Sequence, residues 1–232
     1  VKKGYSHVIF DLDRTLWDFE SNARLALADI YKELNLESFG IQSFSSFERT
    51  YKRINEDCWD EYRKGVLKKE VLRSIRFKKT LEEFGVHAVK LAEQIGELYL
   101  DKSPRLPHLM PGAFSLLDYL KPRYNLHILT NGFVEVQTIK LIKSGLRPYF
   151  EHVVASEETG AKKPHPDTFQ YTLEKIGCKP NDCIMVGDDP KTDIEGAHAI
   201  GMDTVLYDPE YKHQKGLATH HVHHLNMLSK FL

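Results

Sequence analysis

The stretch HVIFDLDRTLWD, residues 7–18, constrains the fold more than any other part of the chain. An apolar run of strand length ends in two aspartates two residues apart, followed by a threonine. Asp is depleted in strands and is among the least often buried residues, so packing does not explain the pair. The same punctuation returns later. NLHILTNG (125–132) ends in Thr130, Asn131 and Gly132, and CIMVGDD (183–189) ends in Gly187, Asp188 and Asp189. HVVAS (152–156) and DTVLYD (203–208) are further short apolar runs.

Helical spacing separates these runs, over 134–144, 166–176 and 192–200. Pro166 opens the second helix, while Gly177 and Gly201 stop the second and third, as helix ends prefer. Strands alternating with helices predict a parallel, Rossmann-like α/β sheet with helices on both faces. The first strand stands apart from the rest. From Ser21 the apolar residues Ala23, Leu27, Ile30, Tyr31 and Leu34 recur at three and four, and helical stretches follow at about 47–62, 68–84 and 88–99. SPRLPHLMPG (103–112) closes this region, and a further helix is expected at 114–120. The expected organisation is one α/β core, 1–18 with 111–232, interrupted by an inserted helical bundle, 19–110.

Composition narrows the function. The 232 residues are 41% hydrophobic and 28% charged, as in an ordinary globular protein. With 32 basic and 33 acidic residues the net charge is -1, so no global field attracts a nucleic-acid polymer. Three cysteines, Cys58, Cys178 and Cys183, suggest a reducing compartment and no disulfide framework. No apolar run approaches the ~20 residues of a membrane span, and no secretory pattern opens the sequence. The cytoplasm and a monomer, or a weak homodimer, are the default expectations.

In a doubly wound sheet, ligands bind beyond the carboxyl ends of the strands. That edge would collect Asp11, Asp13 and Thr15 from the first strand and Thr130 and Asn131 from the second. Lys163 of AKKPHPDTF comes from the loop after the third, and Asp188, Asp189 and Asp193 from the fourth. Several carboxylates in one crevice repel each other and lose hydration, which calls for a cation. An all-oxygen donor set favours a hard ion, and Mg²⁺ suits carboxylates plus a substrate phosphate. A carboxylate can attack phosphorus to form an aspartyl-phosphate. A second carboxyl group can protonate the leaving oxygen and then activate water. Lys163 and the Thr130 hydroxyl suit the non-bridging oxygens, and Thr15 suits the orientation of one carboxylate. Taken singly, each residue reads equally as a turn, a helix cap or a solvated loop lysine. The inference rests on the joint pattern.

These residues resemble the haloacid dehalogenase superfamily of hydrolases. Its four motifs stand here as DLDRT (11–15), Thr130 of ILTNG, Lys163 of KPHPDTF and VGDDPKTD (186–193), in family order and over nearly the whole chain. The resemblance implies Asp11 as nucleophile and Asp13 as general acid/base with its backbone carbonyl on the metal. It implies Asp11 and Asp188 as carboxylate ligands of Mg²⁺, with Asp189 and Asp193 in support. Thr130 and Lys163 would position the phosphate, with Asn131 as a further donor. The dehalogenases of the superfamily lack the second aspartate of the first motif, so Asp13 argues for phosphate chemistry. The insert resembles the helical type 1 cap. Within the superfamily, DLDRTLWDF, INEDCWDEYRKG (54–65), LPHLMPGA, LTNGFVEVQ and SEETGAKKP are similar to bacterial pyrimidine 5'-nucleotidases, which implies a nucleoside monophosphate as partner. Phosphoglycolate and sugar-phosphate phosphatases share the same core. A phosphomutase-type transferase, a receiver-like regulator and a non-catalytic phosphate-binding protein are the rival classes.

Trp17, Asn55, Trp59, Tyr62, Arg63 and Phe133 are the candidates for substrate contact. Trp17, close after the acidic loop, is expected near the pocket mouth. Trp59 and Tyr62 share a helix face, where packing is the better-supported role and base stacking the alternative. THHVHHL (219–225) carries His220, His221, His223 and His224. Alternation around Val222 predicts a short terminal strand there with some imidazoles exposed, then a last helix at 225–231. No nearby Cys or carboxylate in the sequence completes a metal site.

Overall fold

The structure is a computed structural model that describes residues 4–232. It divides into two compact units, Val1–Phe19 with Pro107–Leu232, and Glu20–Leu106.

The first unit is built on six parallel strands: β1 (His7–Phe10), β2 (Asn125–Thr130), β3 (His152–Ala155), β4 (Cys183–Gly187), β5 (Asp203–Tyr207) and β6 (His220–Val222). Their order is β3-β2-β1-β4-β5-β6. The strands are the apolar runs of the sequence, buried on both faces as a parallel sheet requires. Val8 and Phe10 pack on one face with Ile128, Ile184 and Val205, under the helix α5 (Ala113–Leu120) and the carboxyl-terminal turns. Ile9 packs on the other with Leu129, Met185 and Phe169. The chain leaves β1 towards β2 on one side and returns to β4 on the other. That switch point puts the ends of β1, β2 and β4 side by side.

Two details differ from the sequence expectation. The helix expected at 192–200 begins earlier, as a wide π-type turn over Pro190–Glu195, and continues as a short α-helix, Gly196–Ala199. The Asp189 carboxylate accepts from the backbone N–H groups of Lys191 and Thr192 at 2.8 and 3.0 Å, which starts the coil at Pro190. The segment 107–110, expected with the helical insert, belongs to the sheet unit. The Asp18 N–H donates to the His108 carbonyl at 3.0 Å and the Met110 N–H to the Leu16 carbonyl at 2.9 Å.

The second unit contains four helices: α1 (Phe19–Glu33, whose first residue falls in the sheet unit), α2 (Phe44–Arg63), α3 (Lys69–Glu82) and α4 (Val89–Lys102). Ser43 caps α2 by accepting from the Ser46 N–H. Phe47, Tyr51, Ile54, Cys58 and Tyr62 recur at three and four along α2 and form its buried stripe. Tyr51 stacks on Phe77 of α3 with ring centroids 5.0 Å apart, and both meet Tyr99 of α4. Among the described residues no helix is long and apolar enough to cross a membrane.

Candidate active site

β1 is the central strand, and its register carries the chain straight into the acidic loop. The Asp11 N–H donates to the Val186 carbonyl of β4 at 2.9 Å, so Asp11 is fixed at the end of the sheet. The chain then turns back on itself. Leu16 and Trp17 N–H groups both donate to the Leu12 carbonyl, and Arg14 takes a left-handed φ of 66°. The turn places Thr15 Oγ1 3.4 Å from Asp11 Oδ2 and 3.3 Å from Asp188 Oδ1, between the two acids.

Lys163 comes in from the loop after β3 and is buried. Its Nζ donates to Asp11 Oδ1 at 2.7 Å, Asp193 Oδ1 at 2.6 Å and the Leu129 carbonyl at 2.9 Å. All three of its protons are directed at these acceptors. Burial alone would lower the Lys163 pKa, but the carboxylates of Asp11 and Asp193 outweigh it and raise it. Asp193 reaches this point because Gly187 makes room. A Cβ at Gly187 would lie 2.2 Å from Asp193 Oδ2.

Asp11, Asp188 and Asp193 each bring a carboxylate oxygen within 4.8 Å of the others. Burial, opposed by Lys163, pushes the Asp11 carboxyl up to about 7. Asp188 is raised well above the ordinary value by burial and by the charges of Asp11 and Asp193. Asp193 is raised by burial against the pull of Lys163. Lys163 pairs with Asp11 and Asp193, and the charge of Arg14 opposes the rise at Asp188. Burial and mutual repulsion still hold all three carboxyls up, and the donors are all hard oxygens. A divalent cation of the Mg²⁺ type fits this deficit and this donor set.

The structure directs the Asp13 carboxylate elsewhere. Its oxygens accept from Lys140 Nζ at 2.5 Å and from Gln137 Nε2 at 2.8 Å. Lys140 and Gln137 lie on the helix α6 (Val134–Lys143), three apart and so on one face. Lys140 is buried over the Trp17 ring, with Nζ 4.2 Å from its centroid. Gln137 Nε2 also donates to Thr130 Oγ1 at 3.1 Å, tying Asp13 to the end of β2. Gly132 leaves the space for this side chain, since a Cβ there would lie 1.6 Å from Gln137 Nε2. Sequence reasoning missed Lys140 and Gln137. The available signal was a lysine and a glutamine on the same face as the helix's inward residues.

Thr130 Oγ1 accepts from Gly132 N–H and Gln137, which leaves its own proton to donate. Asn131 is a latch between loops. It donates to the Lys163 carbonyl at 3.0 Å and accepts from the Lys163 N–H at 2.9 Å and from Ser156 Oγ at 2.5 Å. Asp189 caps the following turn. Trp17 is fully buried, not at a pocket mouth, because its ring forms the floor beneath Lys140. Phe133 is buried at the start of α6.

Asn55 is buried inside the helical unit. Its Oδ1 accepts from Arg76 at 2.8 Å and from Tyr51 at 3.3 Å. Trp59 and Tyr62 pack edge to face, 5.5 Å apart, and Arg63 pairs with Asp60 at 3.7 Å.

A doubly wound sheet with paired aspartates at its central strand end and a buried lysine between acids defines an aspartate-based hydrolase. The profile of the haloacid dehalogenase-like hydrolases matches residues 5–201, and the chain belongs to that family. It is 32% identical to the putative HAD-hydrolase YfnB of Bacillus subtilis over 90% of this chain and 87% of that one. The magnesium-bound crystal structure of that protein superposes with a TM-score of 0.90, at 29% identity, over 99% of both chains. The chain is also 30% identical to the pyrimidine 5'-nucleotidase PynA of Streptococcus pneumoniae over 94% of this chain and 91% of the other. It is 32% identical to a ribulose-1,5-bisphosphate 5-phosphatase of Halopiger xanaduensis over 87% and 84%. The similarity therefore extends across phosphatases of different substrates and is not specific to nucleotidases.

Proposed function

We propose that the chain is a Mg²⁺-dependent phosphomonoesterase that works through an aspartyl-phosphate on Asp11, with nucleoside monophosphates, pyrimidine ones foremost, as substrates. The observation that carries the mechanism is the division of labour between the two aspartates. Asp11 shares its crevice with Asp188, Asp193 and Lys163, whereas Asp13 is held apart by Lys140 and Gln137. Asp11 is the nucleophile. Asp13 protonates the leaving oxygen and then takes a proton from the attacking water. The Thr130 hydroxyl donates to a phosphoryl oxygen, and Lys163 does so by trading one of its present acceptors. Asn131 acts through the loop it latches. The carboxylates of Asp11 and Asp188 and the backbone carbonyl of Asp13 would hold Mg²⁺, with Asp189 and Asp193 in support. Bound there, the ion supplies positive charge against the anionic phosphoryl group.

Val1–Phe19 with Pro107–Leu232 form the catalytic core in this reading, and Glu20–Leu106 the cap that sets the substrate. Trp59 and Arg63, both half-buried, are its candidate contacts with a base or sugar, while Tyr62 is buried against Trp59. The nucleotide assignment rests on the PynA likeness, and the bisphosphate phosphatase likeness supports a sugar phosphate as the second reading. Phosphate release is measured with Mg²⁺ against nucleoside monophosphates, phosphoglycolate and sugar phosphates, with Asp11→Asn alongside. A higher kcat/KM for UMP, dUMP or dTMP is the expected result. A preference for a sugar or small-acid phosphate replaces the substrate and keeps the mechanism. No release from any of these esters rejects the hydrolase reading in favour of a phosphotransferase or a non-catalytic phosphate-binding protein.

A further inference from the structure

The carboxyl-terminal histidines are not left without a carboxylate. Parallel pairing of β6 on β5 sets Tyr207 beside Val222, and the Asp208 N–H donates to the Val222 carbonyl at 2.8 Å. The next residues along the two strands, Asp208 and His223, are therefore neighbours. His221, two residues before His223, falls on the same side of the extended backbone. One ligand atom from each of Asp208, His221 and His223 lies within 4.8 Å of the other two. The sequence alone hid this, because the carboxylate is contributed from the end of a different strand.

The geometry is that of a prepared site. His221 Nε2 stands 3.2 Å from Asp208 Oδ2. Two ligands on a tetrahedral zinc ion, each about 2.0 Å from it, stand roughly 3.3 Å apart. Asp208 is only 3% exposed, and its carboxylate is oriented by the backbone N–H groups of Lys212 at 2.9 Å and His213 at 3.0 Å. Outer donors of this kind fix a ligating carboxylate. His223 Nδ1 lies 2.6 Å from the Asp208 carbonyl oxygen. Donation there leaves Nε2 as the nitrogen with a lone pair. The Tyr211 ring stacks on His223 at 3.8 Å and holds it flat. Both imidazoles are half-buried, so an ion reaches them from solvent.

We propose that Asp208, His221 and His223 bind a borderline divalent transition ion of the zinc class through two imidazole nitrogens and one carboxylate oxygen. A fourth position stays open to water or another ligand. This donor set differs in kind from the all-oxygen cluster at Asp11, so the two sites select different ions. The site also joins β6, a three-residue edge strand, to the end of β5.

The test uses the full chain, stripped with a chelator and dialysed against Zn²⁺ in excess Mg²⁺, so that oxygen-only sites are filled. Bound zinc is counted by elemental mass spectrometry. One equivalent is expected in the unaltered protein, with affinity at least about tenfold weaker in His221→Ala and in His223→Ala. Cys178 and Cys183, whose sulfurs lie 2.7 Å apart, are the competing donors. Cys178→Ser must therefore keep the equivalent, and Co²⁺ must give tetrahedral d–d bands without thiolate charge transfer. Should the histidine variants fail to fold, the unaltered protein still decides. Zn²⁺ is expected to shield His221 and His223 from diethyl pyrocarbonate while exposed His165 reacts as before. No retained zinc, zinc retained equally by both histidine variants, thiolate bands, or equal histidine labelling with and without zinc would each overturn the proposal.

Discussion

Asp11 and Asp13 carry the same side chain two residues apart, and their surroundings separate them. Asp11 is crowded by other acids and answered by Lys163, while Asp13 is held by Lys140 and Gln137. Asp11→Asn is expected to lower kcat by roughly 10⁴-fold or more with an unchanged circular dichroism spectrum, since it removes the proposed nucleophile. Asp13→Asn should cost about 10²- to 10⁴-fold, the range for a lost acid/base. Lys163→Met leaves Asp11 and Asp193 buried without their cation. We expect it to destabilise the fold by about 3–5 kcal/mol in urea melts, with Mg²⁺ recovering part of the loss. A loss below 1 kcal/mol would contradict the ion-pair role. Lys140→Met should lower kcat about 10- to 100-fold with little change in KM, and Lys140→Arg should recover part of it. The placement of Asp11, Asp13, Asp188, Asp189, Asp193, Thr130 and Lys163 at one edge was legible because each ends a strand or follows closely after one. Lys140 and Gln137 were not, because a polar pair on a helix face reads as solvated until topology turns that face towards the acidic loop.

At the level of elements, the strands declared themselves through short apolar runs ending in polar groups. The π-type turn at Pro190–Glu195 did not, since it depends on where the Asp189 carboxylate folds back. Gly187→Ala is expected to displace Asp193 and lower both the melting temperature and kcat, at a stability cost of about 1–3 kcal/mol. β2 carries a second consequence. His127 is buried between His7 and His152, and burial, then the charges of those two histidines, lowers its pKa from 6.5 to about 4. The unfolded chain takes up this proton near pH 6.5 and the folded chain only near 4. The contribution of neutral His127 is therefore full above about pH 6.5 and declines as pH falls to 4, by up to about 3 kcal/mol. The acids raised by burial act in the opposite sense over part of this range. The term is read from the difference in unfolding free energy between the unaltered protein and His127→Gln at pH 7 and pH 4.5. A difference independent of pH would contradict it.

For the whole molecule, the sequence showed that a helical insertion interrupts a parallel sheet after its first strand, because periodicity changes from short apolar runs to spacings of three and four. What the insert recognises was less legible. Asn55 and Tyr62 look the same in sequence whether they face a ligand or pack, and here they are buried, Asn55 against Arg76 and Tyr51 and Tyr62 against Trp59. The Asp208 cluster was illegible for a related reason, since only strand pairing brings residue 208 to residues 221 and 223. The crowding of Asp11, Asp188 and Asp193 also predicts a response of the entire fold to Mg²⁺. The ion should raise the melting temperature of the unaltered protein and do so less in Asp188→Ala, as expected when a ligand binds only the folded state.

The central claim is that Asp11 itself carries the phosphoryl group. The direct measurement is to stop the protein during turnover of its best phosphate ester, reduce it with borohydride and sequence the peptides by mass spectrometry. An acyl phosphate at position 11 is converted to homoserine there. The account predicts homoserine at position 11, dependent on substrate, and none in Asp11→Asn. Sustained turnover in the unaltered protein with the phosphoryl group trapped on another side chain, or undiminished turnover in Asp11→Asn, would contradict it.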